Sequence, residues 1–132
     1  MKALLADLYD SFAGGDASAF VDNLADDAVG IGTDEAEFWV GRTRMAPVIE
    51  KQVAEMSGAG IRITPGEAVI GESGDAVWAA DQPTLHLPDG SSTVLRATLL
   101  ATRDGDGLAV RQMHFSVPAP NEEVVQMELP TE

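Results

Sequence analysis

The stretch that decides the fold is STVLRATLLATRDGDGLAVRQMHFSV, residues 92–117. Its apolar residues alternate with polar ones at the period of half-buried strands, and Gly105-Asp106 has the chemistry of a tight turn. Upstream, from Gly58 onward, the same period predicts further strands. The four expected strands run over about residues 61–71, 75–87, 92–103 and 108–117, joined at Gly74-Asp75, Asp89-Gly90 and Gly105-Asp106. The whole region reads as an antiparallel meander.

Before Gly58 the period is that of helices. Leu4, Leu5, Leu8 and Phe12 share one face, and Gly14-Gly15 ends that helix. Asp16 is placed to cap a second helix that buries Phe20, Val21 and Leu24 and closes at Asp26-Asp27. Ala28 to Thr33 reads as a strand, followed by an acidic loop from Asp34 to Glu37. A third helix, about residues 43–57, carries Met45, Val48, Ile49, Val53 and Met56 on one side, with Pro47 in its first turn. Helices followed by a meander give an α+β fold with the helices on one face of a curved sheet. Residues 1–118 form the expected domain. Residues 119–132 form an acidic tail that Val124, Val125 and Leu129 would tack down.

Composition bounds the function. The chain has 132 residues, 22 acidic and 8 basic side chains, a net charge of −14 and no cysteine. It is long enough for one domain with a real core. Such an acidic chain lacks the Lys and Arg that neutralise nucleic-acid phosphates or anionic membranes. Disulfides, thiolate metal sites and a cysteine nucleophile are excluded. No apolar run approaches the ~18 residues of a membrane helix, and no signal segment opens the chain, so the expected compartment is the cytoplasm. Two histidines without acidic partners at ligand spacing predict no metal site, and no cofactor is expected.

A two-residue loop at Asp89-Gly90 would pair Trp78 with Ala101, Ala80 with Leu99 and Gln82 with Ala97. A two-residue loop at Gly105-Asp106 would pair Ala101 with Val110, Leu99 with Gln112 and Ala97 with His114. One face then carries Trp78, Gln112, His114 and Ser116 among small alanines, the mixture from which ligand pockets are built. The other carries Asp81, Arg96, Thr98 and Arg111, with Asp81 and Arg96 as an ion-pair candidate at an interface.

Leu8-Tyr9 with Phe12, a Gly-Asp joining two helices, Leu24-Ala25-Asp26-Asp27-Ala28, Trp39-Val40-Gly41-Arg42 opening a helix, and Met113-His114-Phe115-Ser116 with Pro118 follow in order. In this the chain resembles the SnoaL-like branch of the nuclear-transport-factor-2-like superfamily over about residues 3–118. The resemblance implies a cone-shaped α+β barrel. In it a strongly curved antiparallel sheet and three N-terminal helices enclose a cavity, and homodimers form through the outer sheet face. The superfamily spans isomerases, cyclases, hydrolases, dehydratases and pure binding modules, so function rests on the cavity.

The resemblance also implies candidate chemistry. Ketosteroid isomerases carry a catalytic Asp five residues after the second Asp of the Ala-Asp-Asp-Ala segment. Here that place is Gly32, and Asp34 lies two residues further on. Tyr9 falls on the first helix where those enzymes have an oxyanion-hole tyrosine. His114, between Gln112 and Ser116 on the expected pocket face, is the mid-strand imidazole suited to act as base or ligand anchor. The expected catalytic set is therefore His114, Asp34 and Tyr9, with Phe12, Trp39, Trp78, Gln112 and Ser116 as ligand contacts. The leading expectation is a homodimer that binds a neutral or weakly polar organic molecule. An isomerase, cyclase or hydrolase working through His114 or Asp34, and an interaction module with a vestigial pocket, are the alternatives.

Overall fold

Leu4, Leu5 and Leu8 form a helical stripe, and in the computed structural model, which describes residues 1–132, they build α1 (Lys2–Gly14) and lie in the core. Gly15 ends α1 in the left-handed conformation, φ 74°, where glycine has no Cβ penalty. The Asp16 carboxylate accepts the Ser18 N–H at 2.9 Å and starts α2 (Ser18–Val21). This helix is a single turn, shorter than the sequence pattern suggests. Leu24 is buried as expected, but it opens strand β1 (Leu24–Ile31) rather than closing a helix. A helical apolar spacing and a short buried strand are indistinguishable over so few residues.

Strand β2 (Phe38–Val40) precedes α3 (Arg42–Gly58). Pro47 sits inside α3, in its second turn rather than its first, since the helix already begins at Arg42. The remaining strands are β3 (Arg62–Thr64), β4 (Val69–Ser73), β5 (Ala76–Asp81), β6 (Thr84–His86), β7 (Ser92–Val94), β8 (Arg96–Asp104) and β9 (Gly107–Ser116). They form a six-stranded sheet in the order β2-β1-β9-β8-β5-β4 and a three-stranded sheet in the order β3-β6-β7. The larger sheet is mixed, because β1 runs parallel to β9 while all its other neighbours are antiparallel. The fold is the expected α+β cone, with an open sheet. Helix α3 packs on β1, and α1 packs on β3 and α3.

Register decides which side chains enter the cone, and it differs from the sequence expectation in two places. Strands β6 and β7 join through residues 87–91, with the Leu87 N–H donating to Ser91 O at 2.9 Å. The loop is longer than the two-residue Asp89-Gly90 turn. Trp78 therefore faces Leu100, and Ala79 faces Leu99. The second shift is a bulge at Arg111. Near the Gly105-Asp106 turn the expected pairing of Ala101 with Val110 holds, but beyond the bulge His114 faces Thr98 and Phe115 faces Ala97. Each one-residue slip exchanges the two faces of a strand.

The inner face is thus Val77, Ala79 and Asp81 on β5, Ala97, Leu99 and Ala101 on β8, and Val110, Met113 and Phe115 on β9, all buried. The outer face carries Trp78, Thr98, Gln112 and His114, together with Phe38 and Val40 from β2. Asp81 and Arg96 lie on opposite faces and form no ion pair. After Pro118 the chain forms the short helix α4 (Asn121–Val125). Val124, Val125 and Leu129 stand exposed, so they do not tack the tail down. No helix is long and apolar enough to cross a membrane.

Candidate functional site

Between the helices and the inner sheet face lies a cavity of about 360 Å³, inside the range of ~300–1,000 Å³ usual for small-molecule pockets. Helix α1 contributes Leu8 and Phe12. Helix α3 contributes Ile49, Val53 and Met56. The sheets close it with Trp39, Ile63, Met113 and Phe115, and Leu95 joins them from the link between β7 and β8. Each helix lays its apolar stripe on the cavity because the turn-to-turn spacing keeps those residues on one side. The tight backbone at Gly30 helps: a Cβ there would press within 2.9 Å of both Met45 Cε and Trp39 Cε3.

The polar part of the wall is small and gathers in one place. Gly32, Thr33 and Glu37 come from the turn between β1 and β2, and Gln52 and Glu55 from α3. The Gln52 amide donates to Glu37 Oε2 at 3.4 Å, and the Asp34 N–H donates to Glu37 Oε1 at 3.2 Å. The Glu37 carboxylate folds over Gly32, so closely that a Cβ at position 32 would collide with Oε2. Gly32 therefore leaves room for a carboxylate delivered from the other side of the turn. Sequence reasoning grouped Glu37 with the solvated acids of its loop and did not single out Gln52. The available signal was the glycine itself, which follows directly after Ile31 at the end of β1.

Of the residues expected to form the site, Phe12 and Trp39 line the cavity. Tyr9, Asp34 and His114 do not converge. Strand β1 ends at Ile31, so Asp34 is not on a continued strand. It stands exposed in the turn and accepts the Ala36 N–H at 2.8 Å. His114 is half-buried on the outer sheet face, between Ile31 and Thr98, because the Arg111 bulge reverses the facing of this part of β9. Gln112 and Ser116 go with it. Trp78 is also on the outer face, 41% exposed and packed over Gly71, whose absent Cβ admits the indole ring. His86 is half-buried, with Nε2 2.8 Å from Thr64 Oγ1.

Tyr9 is 2% exposed and lies outside the cavity wall. Its hydroxyl donates to Asp81 Oδ2 at 2.8 Å, and Asp81 also accepts the N–H groups of Gly66 at 3.2 Å and Gln82 at 2.8 Å. Burial first, then the hydrogen bond and the charge of Asp81, push the Tyr9 phenol far above its usual range. A phenol in that state is a fixed donor. It ties α1 to the end of β5, and no buried side-chain polar atom is left without a partner.

A family model for the SnoaL-like domain matches residues 1–120. The chain belongs to the SnoaL-like domain family. Among solved structures, a nuclear-transport-factor-2-like protein of unknown function from Pseudomonas putida superposes with a TM-score of 0.80 at 20% identity, covering 99% of this chain and 92% of that one. A nuclear-transport-factor-2-like protein with a cystatin-like fold from Novosphingobium aromaticivorans superposes at 0.75 and 16% identity, covering 96% and 86%. A protein from Parabacteroides distasonis, provisionally named a ketosteroid isomerase, superposes at 0.71 and 14% identity, covering 88% and 86%. At these identities the likeness is one of fold. No curated protein matches the sequence.

For this SnoaL-like domain the geometry offers a mainly apolar chamber with two carboxylates in its wall, the exposed Glu55 and the half-buried Glu37, the latter held over Gly32 by Gln52 and the turn backbone. A second concavity, about 520 Å³, is lined by four hydrophobic residues of twelve. Two of its charges are already engaged, Arg111 by Asp27 at 2.6 Å and Arg42 by Leu24 O at 3.0 Å. No group of three or more His, Asp or Glu side chains gathers to hold a metal.

Proposed function

We propose that this SnoaL-like protein binds a small organic molecule of predominantly apolar surface in the cone cavity, as a homodimer joined through the outer face of the six-stranded sheet. One observation carries the binding reading: the 360 Å³ chamber has 12 hydrophobic residues among the 17 in its wall, and the other five, Gly32, Thr33, Glu37, Gln52 and Glu55, gather where the β1–β2 turn meets α3. That is how orientation-specific small-molecule sites are built. The volume also weighs against a vestigial pocket, since protein interiors are otherwise close-packed. The separation of Tyr9, Asp34 and His114 removes the support for catalysis by that set.

The dimer reading rests on the outer face. Phe38, Val40, Val69 and Trp78 all stand on it, 41–69% exposed, around Leu100, Ile31 and His114. Exposed apolar side chains at both edges of one sheet face favour a partner, and a second copy offers the matching face.

A thermal-shift screen with steroid, polyketide-like and terpenoid compounds tests the binding reading. A ligand at a hundred times its Kd adds ~2.7 kcal/mol of stability, which for a domain this size raises Tm by several degrees. Met56→Trp, which fills the chamber from α3, should abolish the shift. Equal shifts in the wild type and Met56→Trp would place the ligand elsewhere and contradict the proposal. Sedimentation at micromolar concentration tests the dimer, and a species of only 13.9 kDa would overturn it.

A further inference from the structure

We propose that Glu37 is the recognition group of the cavity and that it selects ligands carrying a protonated amine on an apolar body. This rests on the binding reading above and narrows its ligand class from neutral or weakly polar to cationic.

Four observations lead there. First, the Glu37 carboxylate is part of the cavity wall and is half-buried, so its water shell is incomplete. Second, it has no countercharge. The protein's ion pairs are Arg103 with Glu72 and Arg111 with Asp27, and no Lys, Arg or His lines the cavity. Gln52, its side-chain partner, donates an uncharged amide hydrogen bond at the long distance of 3.4 Å. Third, the glycine at position 32 is required for the carboxylate to lie where it does. Fourth, the other acid of the wall, Glu55, and the net charge of −14 add a field of the same sign.

A carboxylate beside apolar walls is stabilised by an opposite charge within about 4–6 Å. An ammonium brings that charge and donates to the lone pairs that Gln52 and the Asp34 N–H leave free. Its apolar body meanwhile fills the chamber lined by Leu8, Phe12, Met56 and Met113. A neutral alcohol gains the hydrogen bond without the charge. An anion meets repulsion from Glu37 and from the whole surface.

The test compares three probes of one shape: 4-phenylbutylamine, 4-phenyl-1-butanol and 4-phenylbutyrate, titrated calorimetrically at pH 7. The amine should bind about tenfold more tightly than the alcohol, the size expected of one partly solvated charge pair, and the carboxylate more weakly than either. Raising the salt to 1 M should shrink the amine's advantage. Glu37→Gln should bring the amine-to-alcohol ratio close to one. Gln52→Lys, which supplies an internal ammonium to Glu37, should do the same without touching the carboxylate. An amine no tighter than the alcohol in the wild type, or a ratio that survives both substitutions, overturns the assignment while leaving the cavity reading intact. Failure of all three probes to bind overturns both.

Discussion

Two carboxylates of this SnoaL-like domain face the interior, and they are treated in opposite ways. Asp81 is 5% exposed and receives three hydrogen bonds, from the Tyr9 hydroxyl and the N–H groups of Gly66 and Gln82. Glu37 is half-buried, receives two, at 3.2 and 3.4 Å, and borders the cavity. A buried charge that is fully satisfied belongs to the architecture, since any missing donor would cost the fold directly. A charge with unused lone pairs beside a cavity is available to something that enters it. The contrast separates the part of the molecule that holds the cone from the part that can recognise a ligand.

Removing each group should break the symmetry most visibly. Asp81→Ala leaves the Tyr9 hydroxyl and the Gly66 N–H unpaired, and should cost about 2–4 kcal/mol in urea unfolding. Glu37→Ala should stay within about 0.5 kcal/mol of the wild type. Equal losses at the two sites would erase the distinction.

The Tyr9 phenol gives the structural pair a pH signature. Its pKa is raised in the folded protein, so the protonated phenol is favoured by folding. The associated stability is fully present below the phenol's unfolded value of about 10 and is lost as pH rises above it. Alkaline unfolding followed by circular dichroism should show a fall in stability beginning near that pH. Tyr9→Phe should be less stable at neutral pH and flatter above it.

Smaller effects probe the other carboxylate and the outer face. Gly32→Ala pushes the Glu37 side chain out of its place. It should cost about 1 kcal/mol and remove the amine preference, read by the same probe titrations. His114→Ala lies across the sheet from the cavity, so it should change probe affinity by less than about twofold while weakening self-association in sedimentation.

The fold was legible where the pattern was long and its ends were marked. The stripe of α1 closed by Gly15 and the stripe of α3 ended by Gly58-Ala59-Gly60 needed only period and punctuation. The two-residue turns at Gly74-Asp75 and Gly105-Asp106 are where the sequence places them. The strand facing was only partly legible. A loop over 87–91 and a bulge at Arg111 each slip the pairing by one residue; the loop leaves no mark in the hydrophobic alternation, and the bulge shows only as the polar pair Arg111-Gln112, which shifts the apolar phase from Leu108 and Val110 to Met113 and Phe115. Those two slips moved Trp78, Gln112, His114 and Ser116 to the outside and brought Asp81 to Tyr9. Phe12 and Trp39 were readable as wall residues because apolar periodicity alone places them. Glu37 was hidden among Asp34 and Glu35 because only the chain reversal at the β1–β2 turn puts its carboxylate over Gly32.

The most direct test of the central claim is methyl and aromatic NMR of the protein titrated with 4-phenyl-1-butanol. Saturable shifts are expected at Leu8, Phe12, Trp39, Ile49, Met56 and Met113 alone, and none in Met56→Trp. Shifts centred on Trp78, Leu100 and Val40 of the outer face, or none at millimolar probe, would contradict the claim.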